Sequence, residues 1–397
     1  MIVPAASSPA TLLAPSQLAM RFDRQELAGA VADVGVLVPI AAALIIKNGL
    51  TATAVLLPAG ILYLIVAFIF RLPIPVQPLK AFGAIAIANG LGANEIAAGS
   101  ILMGAIFFTL GGAGLIDWAG RAFPKPLIRG VQLTVGLLFL KIAWGLVWTA
   151  PKSFSDATAD PWLLLALALV VLAAAMALRK HLIALLLVVL GLGIALVRSG
   201  AEIKLGPSGL PLPHLSGAAF ASAFVVLVIP QLPLTFANSC LATADAAKAY
   251  FGPAAQRVKP GRLAMTLGAV NLFAGGIAGM PVCHGAGGLT AHREFGARSG
   301  GAPLMMGGAL VVLAVVFGAG MAVLLSAFPL PILAGMLAAA GLLHIGLLRD
   351  LQGGWAWTLA LLVGLIGFFF NLAIGLAIGL ALWWVPIGVA RLRARSS

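Results

Sequence analysis

Apolar runs of membrane-spanning length recur along most of the chain, parted by short polar or Pro/Gly-containing stretches. A helix needs about 20 such residues to cross a bilayer, with about 17 to 25 tolerated. Twelve runs meet that requirement or fall one residue short of it: residues 27–46, 51–70, 96–116, 127–147, 162–178, 182–197, 220–242, 263–279, 304–327, 331–348, 355–370 and 372–390. Two further stretches are shorter. Residues 81–90 follow Leu72-Pro-Ile-Pro-Val-Gln-Pro78, and residues 285–291 follow Met280-Pro-Val-Cys-His284. Proline pushes the residue before it toward extended backbone. Each pair therefore predicts an extended strand feeding a half-helix, together one crossing. The pattern predicts an all-α polytopic membrane protein with fourteen transmembrane segments, the third and tenth broken.

Composition agrees with this pattern. Hydrophobic residues make up 62% of the 397 and charged residues 9%. A soluble domain carries about 25% charged residues, so that class is excluded, as is a disordered chain. The net charge of +13 would suggest nucleic acid in a soluble protein. In a membrane protein, cytoplasmic loops collect Lys and Arg instead. With the N-terminus inside and fourteen crossings, eighteen of the 24 basic residues fall on the cytoplasmic side. Lys47, Lys152, Arg198 and Lys204 fall outside, while Lys80 and Lys141 fall within spans. Dropping either broken segment alone spoils this bias. Both termini are thus expected in the cytoplasm of an inner or plasma membrane protein, and nucleic acid is not an expected partner. Residues 1–20 have no basic leader and do not resemble a cleaved signal peptide. Cys240 and Cys283 imply no disulfide framework.

The chain repeats itself. Phe123-Pro-Lys-Pro126 recurs as Phe328-Pro-Leu-Pro331, and at the same offset of 205 Gly130 meets Gly335 and Gly136 meets Gly341. Gly112-Ala-Gly114 recurs as Gly318-Ala-Gly320 and Pro75-Val76 as Pro281-Val282, both at 206. Each copy holds seven crossings, an odd number, so the copies must be inverted relative to one another. The expected layout is a cytoplasmic tail (1–26), a first repeat (27–198), an external loop (199–217), a second repeat (218–390) and a basic tail (391–397). Broken segments at matching positions of two inverted halves point to a substrate site.

A half-helix N-terminus offers unpaired N–H groups and a partial positive charge, so two facing ends make an anion site. The donors expected are the amides of Lys80, Ala81 and Phe82 at one end and of Gly285, Ala286, Gly287 and Gly288 at the other. Gln77 fits substrate contact or capping of freed backbone. Lys80 fits an anion partner or a snorkelling lysine, and His284 a ligand contact or a satisfied core histidine. Asp33 places a carboxylate inside an apolar run, suited to a coupling proton or to a static pair with a buried cation. Gln231, Thr235 and Asn238 make the eighth segment too polar to face lipid, and serve the site or join helices. Asp245, Arg293 and Arg298 are expected near the cytoplasmic side, as gate or loop charges. No nucleotide loop, hydrolase elbow or metal-ligand cluster is present, so neither an enzyme nor a cofactor is expected.

Four blocks resemble the molybdate transporter family of the sulfate permease superfamily: Ala32-Asp-Val-Gly-Val-Leu-Val-Pro-Ile40, Pro73-Ile-Pro-Val-Gln-Pro-Leu-Lys80, Pro230-Gln-Leu-Pro-Leu-Thr-Phe-Ala-Asn-Ser239, and Met280-Pro-Val-Cys-His-Gly-Ala-Gly-Gly-Leu289 with Arg293-Glu-Phe-Gly-Ala-Arg-Ser-Gly300. The family pattern begins Gly-Asp-Leu-Gly, where this chain has Ala32 and Val34 around Asp33. The resemblance implies a core domain moving against a gate domain, with substrate between segments three and ten. The expectation is a secondary transporter of a tetrahedral oxyanion, molybdate first and sulfate second. Its partners would be that dianion, a coupling proton, the bilayer and, as one option, a second copy in a homodimer. A nucleobase permease of the same architecture and a channel-like anion conductor are the alternatives.

Overall fold

The computed structural model describes residues 19–31, 34–148, 161–177, 182–199 and 204–396. Its helices, in chain order, are α1 (Arg24–Ala30), α2 (Val34–Asn48), α3 (Ala52–Ile69), α4 (Lys80–Asn89), α5 (Ala93–Gly112), α6 (Ile116–Gly120), α7 (Lys125–Trp148), α8 (Pro161–Ala177) and α9 (Leu182–Ser199). The second half contains α10 (Gly217–Ala223), α11 (Ile229–Leu234), α12 (Thr243–Phe251), α13 (Pro260–Gly276), α14 (Ala286–Glu294), α15 (Gly301–Val316), α16 (Gly318–Ser326), α17 (Leu330–Gly346), α18 (Gly354–Ile366) and α19 (Leu372–Ser396). Two short strands, β1 (Gln77–Pro78) and β2 (Val282–Cys283), form the one sheet among the described residues.

Six helical stretches are long and apolar enough to cross a membrane alone: Ala52–Ile69, Ala93–Gly112, Lys125–Trp148, Gly217–Arg257, Leu330–Asp350 and Gly354–Ile387. The protein is therefore an integral membrane protein of mostly helical fold. The stretch Gly217–Arg257 contains two π-helical turns, Phe224–Val228 and Thr235–Ala242, around Pro230 and Pro233. A proline interrupts the ordinary backbone ladder, and wider turns absorb the misfit. A third π-helical turn, Gly367–Asn371, reverses the chain between α18 and α19. The two helices then fold together, and a Cβ on Gly375 would lie 2.9 Å from the Val363 carbonyl.

Three expected spans differ in detail. Run 304–327 is two helices, parted at Phe317. The carbonyls freed there find partners in the loop before α10 and in α3. Gly206 N–H donates to Val316 O at 2.7 Å, and Thr53 Oγ1 donates to Ala314 O at 2.7 Å. Run 96–116 ends early, at Gly112, because Gly114 turns the chain with φ of 72°. Run 27–46 is divided between α1 and α2 on either side of Ala32 and Asp33, which lie outside the described residues; so does the expected role of Asp33.

The long helices pair across the two halves. α3 packs on α15, α5 on α13 and α7 on α17, while α18 packs on α7 and α8 on α17. α7 and α17 meet at Gly136 and Gly341. A Cβ on either would come within 2.7 Å of the other's carbonyl, so only glycine permits the approach. Small residues that let helices close in are the usual means of association in a membrane, where burial from water supplies no driving force. Lys141, a charge expected within a span, lies over the Phe368 ring at 6.0 Å from its centroid.

Candidate functional site

The broken segments meet at the β1–β2 ladder. The strands are antiparallel, with Gln77 opposite Cys283 and Pro78 opposite Val282. Leu79 N–H donates to Pro281 O at 3.1 Å. Residues 72–79 and 280–285 are all buried. Backbone this irregular survives at membrane depth only where protein satisfies it, and two side chains supply that. Asn271 of α13 brackets Val282, accepting its N–H at 2.7 Å and donating to its carbonyl at 2.9 Å. His284 spans both halves. Its Nδ1 donates to Pro75 O at 3.1 Å, and its Nε2 meets Thr266 Oγ1 at 3.1 Å. Because a carbonyl only accepts, Nδ1 carries a proton; the Thr266 hydroxyl that Nε2 meets also donates to the Leu263 carbonyl at 2.9 Å. The ring is fully buried and edge-on to Phe70. It sits behind the ladder as a brace.

From this ladder α4 and α14 start in extended backbone, at Leu79 and Gly285, without a cap from either residue's side chain. Their first amides have no intrahelical acceptor. At α4 a remote side chain intervenes: Gln231 Oε1 accepts the Phe82 N–H at 3.0 Å. Gln231 is held in turn by Thr235, whose Oγ1 accepts from Nε2 at 3.0 Å and lies 3.2 Å from the Gln231 carbonyl. Gln231 and Thr235 are both buried. At α14 the first helical bond is Leu289 N–H to Gly285 O. Among the described residues no side chain bonds the amides of Ala286, Gly287 or Gly288. Ala286 is half-buried and Gly287 exposed, with nothing within 4 Å of where its Cβ would stand.

Gln77 and Asn238 converge on that second end. A Cβ on Gly285 would lie 2.8 Å from Gln77 Oε1 and 3.4 Å from Asn238 Nδ2. Asn238 belongs to the π-helical turn after Pro233, which re-aims the side chains of that stretch. Lys80 is half-buried at the first turn of α4. Gln77 and Asn238 thus stand beside Gly285, and Lys80 and Ala81 open α4 from the same ladder; the Phe82 amide, Gln231, Thr235 and His284 are bonded to protein. Arg293 and Arg298 lie at the far end of α14. Arg293 stacks on Tyr250 at 4.6 Å, and Arg298 Nη1 donates to the Ala297 and Arg293 carbonyls. Asn271 and Thr266 were not apparent from the sequence as members of this frame. An asparagine inside an apolar helical run was the available signal.

The sequence matches the family described as molybdate transporters of the MFS superfamily, over residues 25–139 and 223–343. These ranges cover more than half of the chain and include both broken segments. The chain belongs to the molybdate transporter family. Molybdate transporter 1 of Arabidopsis thaliana is 30% identical over 95% of this chain and 92% of its own length. Molybdate transporter 1 of Chlamydomonas reinhardtii is 28% identical over 93% and 91%. The fold is that of SLC26 or sulfate permease-type transporters. The transmembrane domain of the cyanobacterial bicarbonate transporter BicA superposes with a TM-score of 0.62, at 18% identity, over 91% of this chain and 98% of that one. The murine SLC26A9 anion transporter in its inward-facing state superposes with a TM-score of 0.66, at 14% identity, over 98% and 73%. Within this molybdate transporter family member, the candidate site lies at the ladder that joins β1 to β2.

Proposed function

We propose that this protein is a secondary transporter of a tetrahedral oxyanion, with molybdate the preferred substrate and sulfate a weaker one. The observation that carries the reading is the open N-terminus of α14, facing the ladder beside Gln77 and Asn238. The amides of residues 285–288 and of Lys80 and Ala81 would hold the dianion, with Gln77 and Asn238 orienting it and Lys80 adding charge. Phe82, Gln231, Thr235 and His284 would hold the frame. Relatives named molybdate transporters support the choice of substrate.

Two inverted seven-segment repeats account for the packing. The ladder pairs Gln77 with Cys283, residues related by the repeat offset of 206, and Gly136 meets its own equivalent Gly341. Residues that touch their own counterparts lie on a pseudo-two-fold axis. The α3–α15 and α5–α13 contacts are then the same contact seen twice. In this reading alternating access moves a core domain that carries both broken segments against a gate domain that includes α7 and α17, both termini are cytoplasmic, and Asp33 takes a coupling proton. Uptake of labelled molybdate into proteoliposomes is the test. Tungstate should compete fully and sulfate more weakly. Competition by a neutral nucleobase, with none by any oxyanion, would refute it.

A further inference from the structure

Glu26 is a fully buried carboxylate that the transport reading leaves unused. It lies on α1, which packs against α14 and α15. Its Oε1 accepts the Arg298 N–H at 2.8 Å, while Oε2 is buried with no hydrogen bond among the described residues. A second link runs beside it: Ser299 Oγ accepts from Arg21 N–H at 3.0 Å and from Gly301 N–H at 3.1 Å. α1 is pressed close there. A Cβ on Gly29 would come within 2.3 Å of the Ala297 Cβ. Glu26 thus ties α1 to the turn that follows the half-helix α14, whose other end faces the proposed anion site.

The charges around it leave it unpaired. From its own segment come Arg21, Asp23 and Arg24, and Arg21 is engaged with Asp23 at 2.6 Å. From α14 and the turn after it come His292, Arg293, Glu294 and Arg298, the last with its guanidinium turned to backbone carbonyls. α15 offers no titratable side chain, and α3 offers Tyr63, stacked on His292. Burial pushes the Glu26 carboxyl above its ordinary range, more than the Arg298 and Ser299 contacts and the Arg21 charge pull it down. By linkage, a raised carboxyl makes the docked arrangement hold its proton more tightly than an undocked one. Docking is then strongest at low pH and weakens as pH rises through that range.

We propose that Glu26 is a proton-binding site that latches α1 onto the turn after α14, closed when protonated and loosened when ionised. The half-helix that presents the anion-binding amides is thereby made sensitive to pH. The effect on anion binding rests on the oxyanion reading; the titration of the latch does not.

The test compares wild type with Glu26→Gln, a neutral isostere, as the pH is raised from the ordinary carboxylate range upward. The melting temperature of the purified wild type should fall with rising pH, and its molybdate affinity should weaken about tenfold. Glu26→Gln should remove both slopes. A wild-type slope retained in Glu26→Gln overturns the proposal. If Glu26→Gln does not fold, the infrared carbonyl-stretch band of a protonated buried carboxyl in the wild type decides. Its disappearance across the same range, in step with the melting temperature, supports the latch, and its absence overturns it. A stability slope abolished by Glu26→Gln, with no molybdate bound at any pH, upholds the latch and refutes the oxyanion reading.

Discussion

The two half-helix starts have the same origin and opposite finish. Each leaves a two-residue strand of one buried ladder, and each begins without a cap from its preceding residue. At α4 the third amide is taken by Gln231, and the helix behind it is almost wholly buried. At α14 the Gly285-Ala-Gly-Gly288 sequence presents bare backbone, exposed at Gly287. One end is braced and the other is open. The difference teaches that two helices leaving one ladder can finish differently: a single side chain from a third helix takes an amide at one start, and no side chain among the described residues does so at the other.

The heaviest way to break this comparison is to remove what supports both ends. Asn271→Leu leaves the Val282 N–H and C=O buried and unpaired, and should cost about 3 kcal/mol of stability, since each such group costs about 1 to 3 kcal/mol. Thermal unfolding of the purified protein checks it. Gln231→Ala sharpens the contrast, because it uncaps α4 and leaves α14 untouched. It should lower stability by about 1 kcal/mol, the usual scale for a lost cap, with molybdate affinity changed less than about threefold (~0.7 kcal/mol). A change larger than tenfold would mean that the first end is the main anion site.

The smallest effect lies away from the ladder, where α7 meets the turn after α17. Arg129 pairs with Asp350, and Lys125 approaches it at 3.1 Å. The Arg129 hydrogen bond, with help from Lys125, pulls the Asp350 carboxyl from 3.8 down to about 2. A lowered carboxyl stabilises the fold above its ordinary value, and that contribution is lost as pH falls through the interval toward about 2. Acid unfolding of the wild type should show this step and Asp350→Asn should lack it. The step should be small, because the carboxylate is 39% exposed and water screens the pair.

Much of this was legible in the sequence, and the limits have physical causes. The starts of the two half-helices were placed within one residue, because prolines and glycines act on the backbone wherever they stand. The Gly285–Gly288 stretch declared itself as open backbone for the same reason. The assignments that blurred depend on contacts between distant residues. Gln231, Thr235 and His284 carry the polar groups a ligand would need, yet each spends them on protein. That follows only from α11 lying beside α4 and from Pro75 lying behind His284. Run 304–327 read as one span because nothing local announces that Gly206 will take the Val316 carbonyl.

The central claim is that the open start of α14 binds the oxyanion, and a calorimetric titration of molybdate into purified wild type and Gly285→Val tests it most directly. Gly285 is extended, with φ of −166°, so valine is allowed by the backbone. Its side chain would displace Gln77 and cover the amides. Saturable binding in the wild type, weakened at least about a hundredfold (~2.7 kcal/mol) in a Gly285→Val protein of unchanged melting temperature, is the result predicted. Equal affinity in the two proteins would contradict the account.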